Sequence, residues 1–397
     1  MENYGRTNPQ TGLSTRVTDF LYRLDDMIAY AQEREVDLAI FAGDAFKNRN
    51  PNPTLQREFA WRIQDLSNLC PVVLLVGNHD LPINAKKASS IEIYETLNVP
   101  NVILGQHYEV HHIQTKSGPV QVATAPYPIR ARLMEEEIEN SVRRTVDDLD
   151  ALLQKRVELI IRDLAMQADE SDAPRILTGH FSVLGAMRGS EKQVMLGRDV
   201  AISLGNLATP EWDYIAMGHI HKHQNLTAGR DGMPPLVYCG SLERIDFGEE
   251  GDEKGFVWAE VERGAASWNF VPVRARPFVT LRADVRQAGN PMKMILDTVK
   301  KHDVTDAVVR VIIEADMETN ALIQTNPIEQ ALREAGASVI ASIQRDVDQP
   351  SRMRLGPTPE GLSPLELLER YLQSKEISPA RIAVLMEAAH NMIEDPS

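Results

Sequence analysis

Four times along this chain an apolar run of strand length stops at a glycine, and the residue after the glycine is one that binds metals or moves protons. Val72-Val73-Leu74-Leu75-Val76 ends at Gly77-Asn78-His79-Asp80, and Val36 to Ala42 runs into Gly43-Asp44. Arg175-Ile176-Leu177-Thr178 leads to Gly179-His180, and Tyr214 to Met217 leads to Gly218-His219-Ile220-His221. Short β-branched and aliphatic runs bounded by glycine read as buried strands. Polar chemistry at the carboxyl end of such strands is the pattern of open α/β sheets, whose loops there are free to carry a site.

The segments between these runs agree. Val17, Phe20, Leu21, Leu24, Met27, Ile28 and Ala31 follow helical spacing after a cap at Ser14 or Thr15, and a second helix is expected from Thr54 to Leu69. Helix and strand alternate, so the first part of the chain reads as parallel α/β. Further on, Ile91 to Leu97 is expected to be helical. Val102 to Leu104, Tyr108 to Gln114 and Val120 to Ala125 read as strands, and a long amphipathic helix, continuous or interrupted, is expected over Arg132 to Met166, with Ile138 and Val142 among the residues of its apolar side. Leu236 to Ser241, Gly255 to Val261 and Ser267 to Val273 suit a second sheet, giving an α/β sandwich.

Composition shifts after Arg276-Pro277. Residues 277–349 read as a small α+β domain without a glycine-ligand strand end, so its expected role is recognition. Residues 350–397 read as a linker and a helix pair. Ser363-Pro364-Leu365-Glu366 is a capping box with proline at the first helical position, and Ser378-Pro379 opens the last helix. The apolar residues of this pair, among them Leu365, Leu368, Leu372, Ile382, Leu385 and Ile393, need a partner surface.

Two cysteines, Cys70 and Cys239, make no disulfide framework or thiolate metal site; both read as core residues, and a cytoplasmic setting is expected. The polar N-terminal residues carry no signal-peptide pattern, and no run approaches the roughly 20 apolar residues that span a bilayer. A net charge of −15 argues against a simple DNA-binding module. It does not exclude a nuclease, because bound divalent cations supply positive charge where the phosphate sits.

Asp44, Asn78, His180, His219 and His221 form a hard-to-borderline N/O donor set of the kind that suits Mn²⁺, Fe²⁺ or Zn²⁺. Asp44 has two oxygens and can bridge two ions, which would clamp a phosphoryl group between them. In His219-Ile220-His221 a fully extended backbone would put both side chains on one face, so the two histidines serve different ions where the loop bends. His79, beside a ligand, is placed to protonate a leaving oxygen. Asp80 could orient His79 or stabilise the strand-end turn. His107, His111, His112, His302 and His390 read as packed or surface histidines, with His223 open.

These motifs, together with Gly179-His180-Phe181-Ser182 and Gly240-Ser241-Leu242-Glu243-Arg244, resemble the calcineurin-like metallophosphoesterases, and among them the SbcD-type nuclease subunits of DNA double-strand-break repair. The resemblance implies a metallophosphoesterase domain (1–276), a DNA-capping domain (277–349) and a C-terminal segment (350–397) that binds the coiled-coil root of an SMC-like ATPase. It implies that Asp44 bridges two Mn²⁺ ions, that Asn78, His180 and His219 complete one site and His221 belongs to the other, and that His79 is catalytic. A homodimer through helices near 55–69 and 89–97 is implied as well. The family's first motif, Asp-x-His, occurs nowhere in the sequence. The chain is therefore expected to be N-terminally truncated, with one complete metal site, a crippled second one and impaired nuclease activity. Alternative expectations are a non-catalytic scaffold for dimerisation and ATPase docking, or a phosphoesterase acting on small phosphodiesters.

Overall fold

The computed structural model of the chain describes residues 5, 7–82, 87–133, 145–168, 171–187, 189, 200–348, 363–374 and 377–394. In chain order the first elements are α1 (Thr15–Glu33), β1 (Ala39–Phe41), α2 (Pro53–Leu69), β2 (Val72–Leu75), α3 (Ile93–Thr96) and β3 (Val102–Gly105). The Ser14 side chain caps α1 by accepting from Val17 N–H, and Asn52 caps α2 ahead of Pro53 at its first position. The three strands form a parallel sheet in the order β1-β2-β3, with Ala39 opposite Val72 and Leu74 opposite Leu104.

A second sheet has six strands. It is built from β4 (Glu109–Gln114), β5 (Pro119–Ala125), β6 (Arg175–Gly179), β9 (Tyr214–Met217), β10 (Gln224–Asn225) and β11 (Leu236–Tyr238), in the order β10-β11-β9-β6-β5-β4. Its four central strands run parallel and its two edge pairings are antiparallel. Between β6 and β9 the chain adds a small parallel pair, β7 (Ser182–Val183) and β8 (Ala201–Ile202). Helices α4 (Arg130–Leu133), α5 (Val146–Gln167) and α6 (Leu204–Leu207) complete this part.

The uninterrupted apolar strands are explained by covering on both faces. On β2, Val72 and Leu74 join the core formed with α1 and α2, while Val73 faces the other way, into a core shared with Ile176 of β6, Tyr214 of β9, Val122 of β5 and Val237 of β11. Beyond the second sheet, Leu177, Ile215 and Tyr238 meet Leu153, Val157, Ile161 and Leu164 of α5. Those four residues of α5 lie at helical spacing and are almost fully buried, each worth about 1.5–3 kcal/mol of burial. The result is a four-layer sandwich of helices, sheet, sheet and helix.

One expectation changes. The segment from Leu236 joins the ligand-bearing sheet beside β9, because all three residues of β11 are buried on both sides. It does not form a second sheet with the strands that follow. Those strands, β12 (Gly255–Glu262) and β13 (Ala265–Pro272), make a separate antiparallel ribbon whose alternating residues Val257, Ala259 and Trp268 pack on the inter-sheet core. The long helix is interrupted, as the sequence allows. A capping box between Thr145 and Asp148 starts α5 afresh, and Ile138 and Val142, expected on its apolar side, lie outside the described residues.

The remaining elements are β14 (Phe278–Asp284), α7 (Pro291–Lys301), β15 (Val308–Ala315), α8 (Met317–Leu322), α9 (Thr325–Glu334) and β16 (Val339–Val347), with a three-stranded sheet in the order β14-β15-β16. Helices α10 (Pro364–Ser374) and α11 (Pro379–Glu394) pack on each other. The expected capping box is present: Ser363 N–H donates to Glu366 and Glu366 N–H donates to the Ser363 hydroxyl. The chain falls into two compact units, one comprising residues 1–281, 299–310 and 329–342, the other 282–298, 311–328 and 343–397. Among the described residues no helix is long and apolar enough to cross a membrane.

Candidate metal centre

The parallel strands deliver their carboxyl ends to one place. His180 Nε2 stands 3.1 Å from Asp44 Oδ2 and 3.2 Å from Asn78 Oδ1, and His219 Nδ1 lies 3.1 Å from the same Asn78 oxygen. The donor atoms of Asp44, His180 and His219 all lie within 4.8 Å of one another. Ligand atoms about 2.0–2.2 Å from a shared ion stand about 3 Å or more apart. The spacing and the chemistry of this oxygen and imidazole set therefore fit a divalent cation. Asp44 and Asn78 come from the three-stranded sheet, and His180 and His219 from the six-stranded one.

Local backbone geometry serves this convergence. Asp44 has φ 57° and His219 φ 85°, both in the left-handed region that residues with a Cβ seldom occupy. Such conformations cost about 1–3 kcal/mol and persist where surrounding bonds over-determine them. The glycines before the ligands are required by close approach. A Cβ on Gly77 would fall 2.2 Å from Asp44 Oδ1, and one on Gly43 would fall 2.2 Å from His180 Nδ1.

Asp80 is the knot behind the ligands. It is fully buried, and its Oδ2 accepts from the N–H groups of Asp44 (2.8 Å) and Gly77 (2.9 Å), while Oδ1 accepts from Ser90 Oγ (3.2 Å). Of the two roles open to Asp80 in the sequence, the structure displays the turn stabiliser. His79 donates its backbone N–H to Asp44 Oδ1 at 2.8 Å. Asp44 thus directs one oxygen to the His79 amide and the other to His180.

Protonation follows from these contacts. Burial opposes charge on Asp44, but His180, through its charge and its hydrogen bond, holds the carboxyl well below the usual range. Burial also disfavours a charged His180, and Asp44 outweighs it and raises its pKa. The same negative potential favours a bound cation. His180 Nδ1 donates to the Ala42 carbonyl at 2.6 Å, which fixes the tautomer and leaves Nε2 toward the other donors. Asp80 is pushed up to about 7, first by burial and then by the charge of Asp44, against the N–H bonds it accepts.

His221 stands apart from this cluster. Its Nδ1 is 2.8 Å from Glu249 Oε1, and the other oxygen of Glu249 pairs with Lys254 Nζ at 2.7 Å, both partners fully buried. Burial opposes the charge of Glu249, but His221 and Lys254 bring it down to about 2. Glu249 and Lys254 were not singled out in the sequence, where they lie in the charge-rich stretch Glu249-Glu250-Gly251-Asp252-Glu253-Lys254. His223 is structural: it stacks on Phe270 at 4.2 Å and its Nδ1 meets the Tyr238 carbonyl at 2.9 Å. A cavity of about 210 Å³ lies beside the cluster, lined by Val76, Leu81, Tyr108, Pro126 and Tyr127 among others. None of the four clustered ligands lines it; Tyr127, with its ring 6.0 Å from that of His219, connects the two.

A sandwich of two sheets that gathers N/O donors at its strand ends is the framework of a candidate metal centre. A family model described as calcineurin-like phosphoesterase matches residues 17–223, and the chain belongs to that family. It is similar to SbcD, the D component of the nuclease SbcCD, from Escherichia coli strain K12, at 26% identity over 342 residues, covering 81% of this chain and 82% of that protein. The SbcD protein of Bacillus subtilis strain 168 is 27% identical over 270 residues, or 66% of each chain.

Proposed function

We propose that this chain is the nuclease subunit of an SbcCD-type complex and hydrolyses DNA phosphodiester bonds. The observation that carries the reading is the meeting of Asp44, Asn78, His180 and His219 from four strand ends, in a chain similar to SbcD over four-fifths of both lengths. In this reading Asp44, Asn78, His180 and His219 would hold one Mn²⁺, and Asp44 and His221 would serve a second whose Asp-x-His ligands this sequence lacks, so cleavage by this chain is expected to be impaired. Bound divalent ions supply charge for the phosphoryl oxygens and a nucleophile at neutral pH. The protein's own part is positional. Asp80 holds the Asp44 and Gly77 amides in place, Ala42 orients His180, and His79, next to Asn78, protonates the departing oxygen.

Partners follow from the same reading. Lys47 and Arg49 are exposed on the loop after Asp44 and suit contact with a DNA backbone. Residues 277–349 cap the DNA, α10 and α11 dock the coiled-coil ATPase subunit, and helices within 55–69 and 89–97 pair two copies. The location is cytoplasmic, at the nucleoid. The test is Mn²⁺-dependent release of nucleotides from duplex DNA ends, run beside a nitrophenyl phosphodiester. Turnover of the small ester with DNA left intact in every form would replace this reading with that of a small-molecule phosphodiesterase.

A further inference from the structure

His221 is held at two points by one buried ion pair. Glu249 Oε1 meets the ring at Nδ1 (2.8 Å), and Lys254 Nζ donates to the backbone carbonyl of His221 (3.1 Å) and to Ser241 Oγ (3.0 Å). Glu249 Oε2 takes Lys254 Nζ at 2.7 Å and the Ile245 N–H at 2.9 Å. The turn that carries Glu249, Phe247–Glu249, is pinned in its own right: the next residue, Glu250, accepts from Thr280 N–H (2.9 Å) and Oγ1 (2.6 Å). An ion pair with both partners out of water is a poor way to fill space, since apolar residues of similar volume do as well or better. Its geometry here does something packing cannot. A carboxylate only accepts, so the nitrogen facing Glu249 must carry a proton, and in the neutral ring the lone pair then belongs to Nε2.

We propose that Glu249, backed by Lys254, is a positioning residue that locks His221 as the Nδ1–H tautomer and so presents Nε2 as a metal ligand. The proposal rests on the metal-centre reading of His221. Its sharpest consequence concerns Glu249→Gln. Lys254 and Ile245 both need an oxygen at the Oε2 position, so the amide oxygen turns to them and the NH₂ group faces His221. Nδ1 must then accept, and the proton moves to Nε2, where it blocks ligation.

The test is a long-range ¹H–¹⁵N spectrum of the full chain with ring-labelled histidine, metal-free at pH 8, with the His221 signals identified by their loss in His221→Gln. Wild type should show a protonated Nδ1 and an unprotonated Nε2, and Glu249→Gln should reverse the pattern. Lys254→Met, which leaves the Glu249 carboxylate in place, should keep the wild-type pattern. A wild-type ring protonated at Nε2 overturns the proposal, and so does an unchanged ring in a folded Glu249→Gln protein. If that variant fails to fold, the wild-type spectrum decides alone. Titration with Zn²⁺ separates the two readings: a locked tautomer with no response at His180 or His221 would remove the metal-centre reading and leave the lock standing.

Discussion

Replacing Asp80 by alanine takes the shared acceptor away from the Asp44 and Gly77 amides, both inside the protein. A buried N–H left without a partner costs about 1–3 kcal/mol, so the two together should cost about 2–6 kcal/mol. Asp80→Asn behaves differently. Its amide oxygen can serve both N–H groups while its NH₂ faces Ser90 Oγ, so the variant should keep most of the stability. The pH dependence separates the two further. Because the folded-state pKa of Asp80 is raised to about 7 from 3.8, the folded protein keeps its proton where the unfolded chain has lost it. The contribution of Asp80 to stability is then full below about pH 4 and declines as pH rises toward 7 in metal-free protein. Asp80→Asn lacks this loss, so its stability relative to wild type should improve from pH 5 to pH 8. Urea unfolding followed by tryptophan fluorescence in the presence of a chelator reads this directly, since Trp61, Trp212, Trp258 and Trp268 all lie in the unit that carries the site. An alanine variant within about 0.5 kcal/mol of wild type, or an asparagine variant as damaged as the alanine one, would refute the reasoning.

Gly77→Ala places a methyl group 2.2 Å from Asp44 Oδ1 and 2.4 Å from its backbone nitrogen, so the ligand itself must move; Mn²⁺ affinity by calorimetry should fall at least tenfold. In a form that also carries the Asp-x-His motif, His79→Ala should abolish DNA cleavage and leave metal content near wild type, and loss of the metal in that variant would make His79 a ligand instead. Deleting residues after 350 should release the ATPase subunit in co-purification while Mn²⁺-dependent turnover of simple esters persists.

The donors were legible because strand-end chemistry is local: an apolar run, a glycine and a ligand lie within a few residues, as in Val72 to Asp80. Which strands share a sheet is not local. Leu236 to Tyr238 reads the same in sequence whether it joins the ligand sheet or a second one, and only its burial on both faces, beside β9, decides. Capping boxes at Thr145 and Ser363 follow the same short-range grammar, but the first sits inside a stretch whose apolar periodicity continues on both sides and masks it. Glu249 and Lys254 were hidden for a further reason. A charge run gives no sign of which members are buried, and their partner His221 is 28 residues upstream of Glu249.

The candidate centre draws two donors from each sheet, which would tie metal binding to the core between the sheets rather than to the cores outside them. An ion that binds only the folded chain stabilises it by about 2.7 kcal/mol at a hundredfold excess over Kd. By linkage, anything that lets the sheets shift must weaken the ion. Ile176 on β6 belongs to the inter-sheet core, and Ile161 on α5 belongs to the outer one. Either residue cut to alanine should cost about 2–5 kcal/mol. Only Ile176→Ala opens a cavity in the core between the sheet that carries Asp44 and Asn78 and the sheet that carries His180 and His219. Its folded form should therefore bind Mn²⁺ more weakly than wild type under conditions where both are folded, while Ile161→Ala binds as wild type does. Equal affinities in two variants of matched stability would mean that each sheet holds its share of the site without the other.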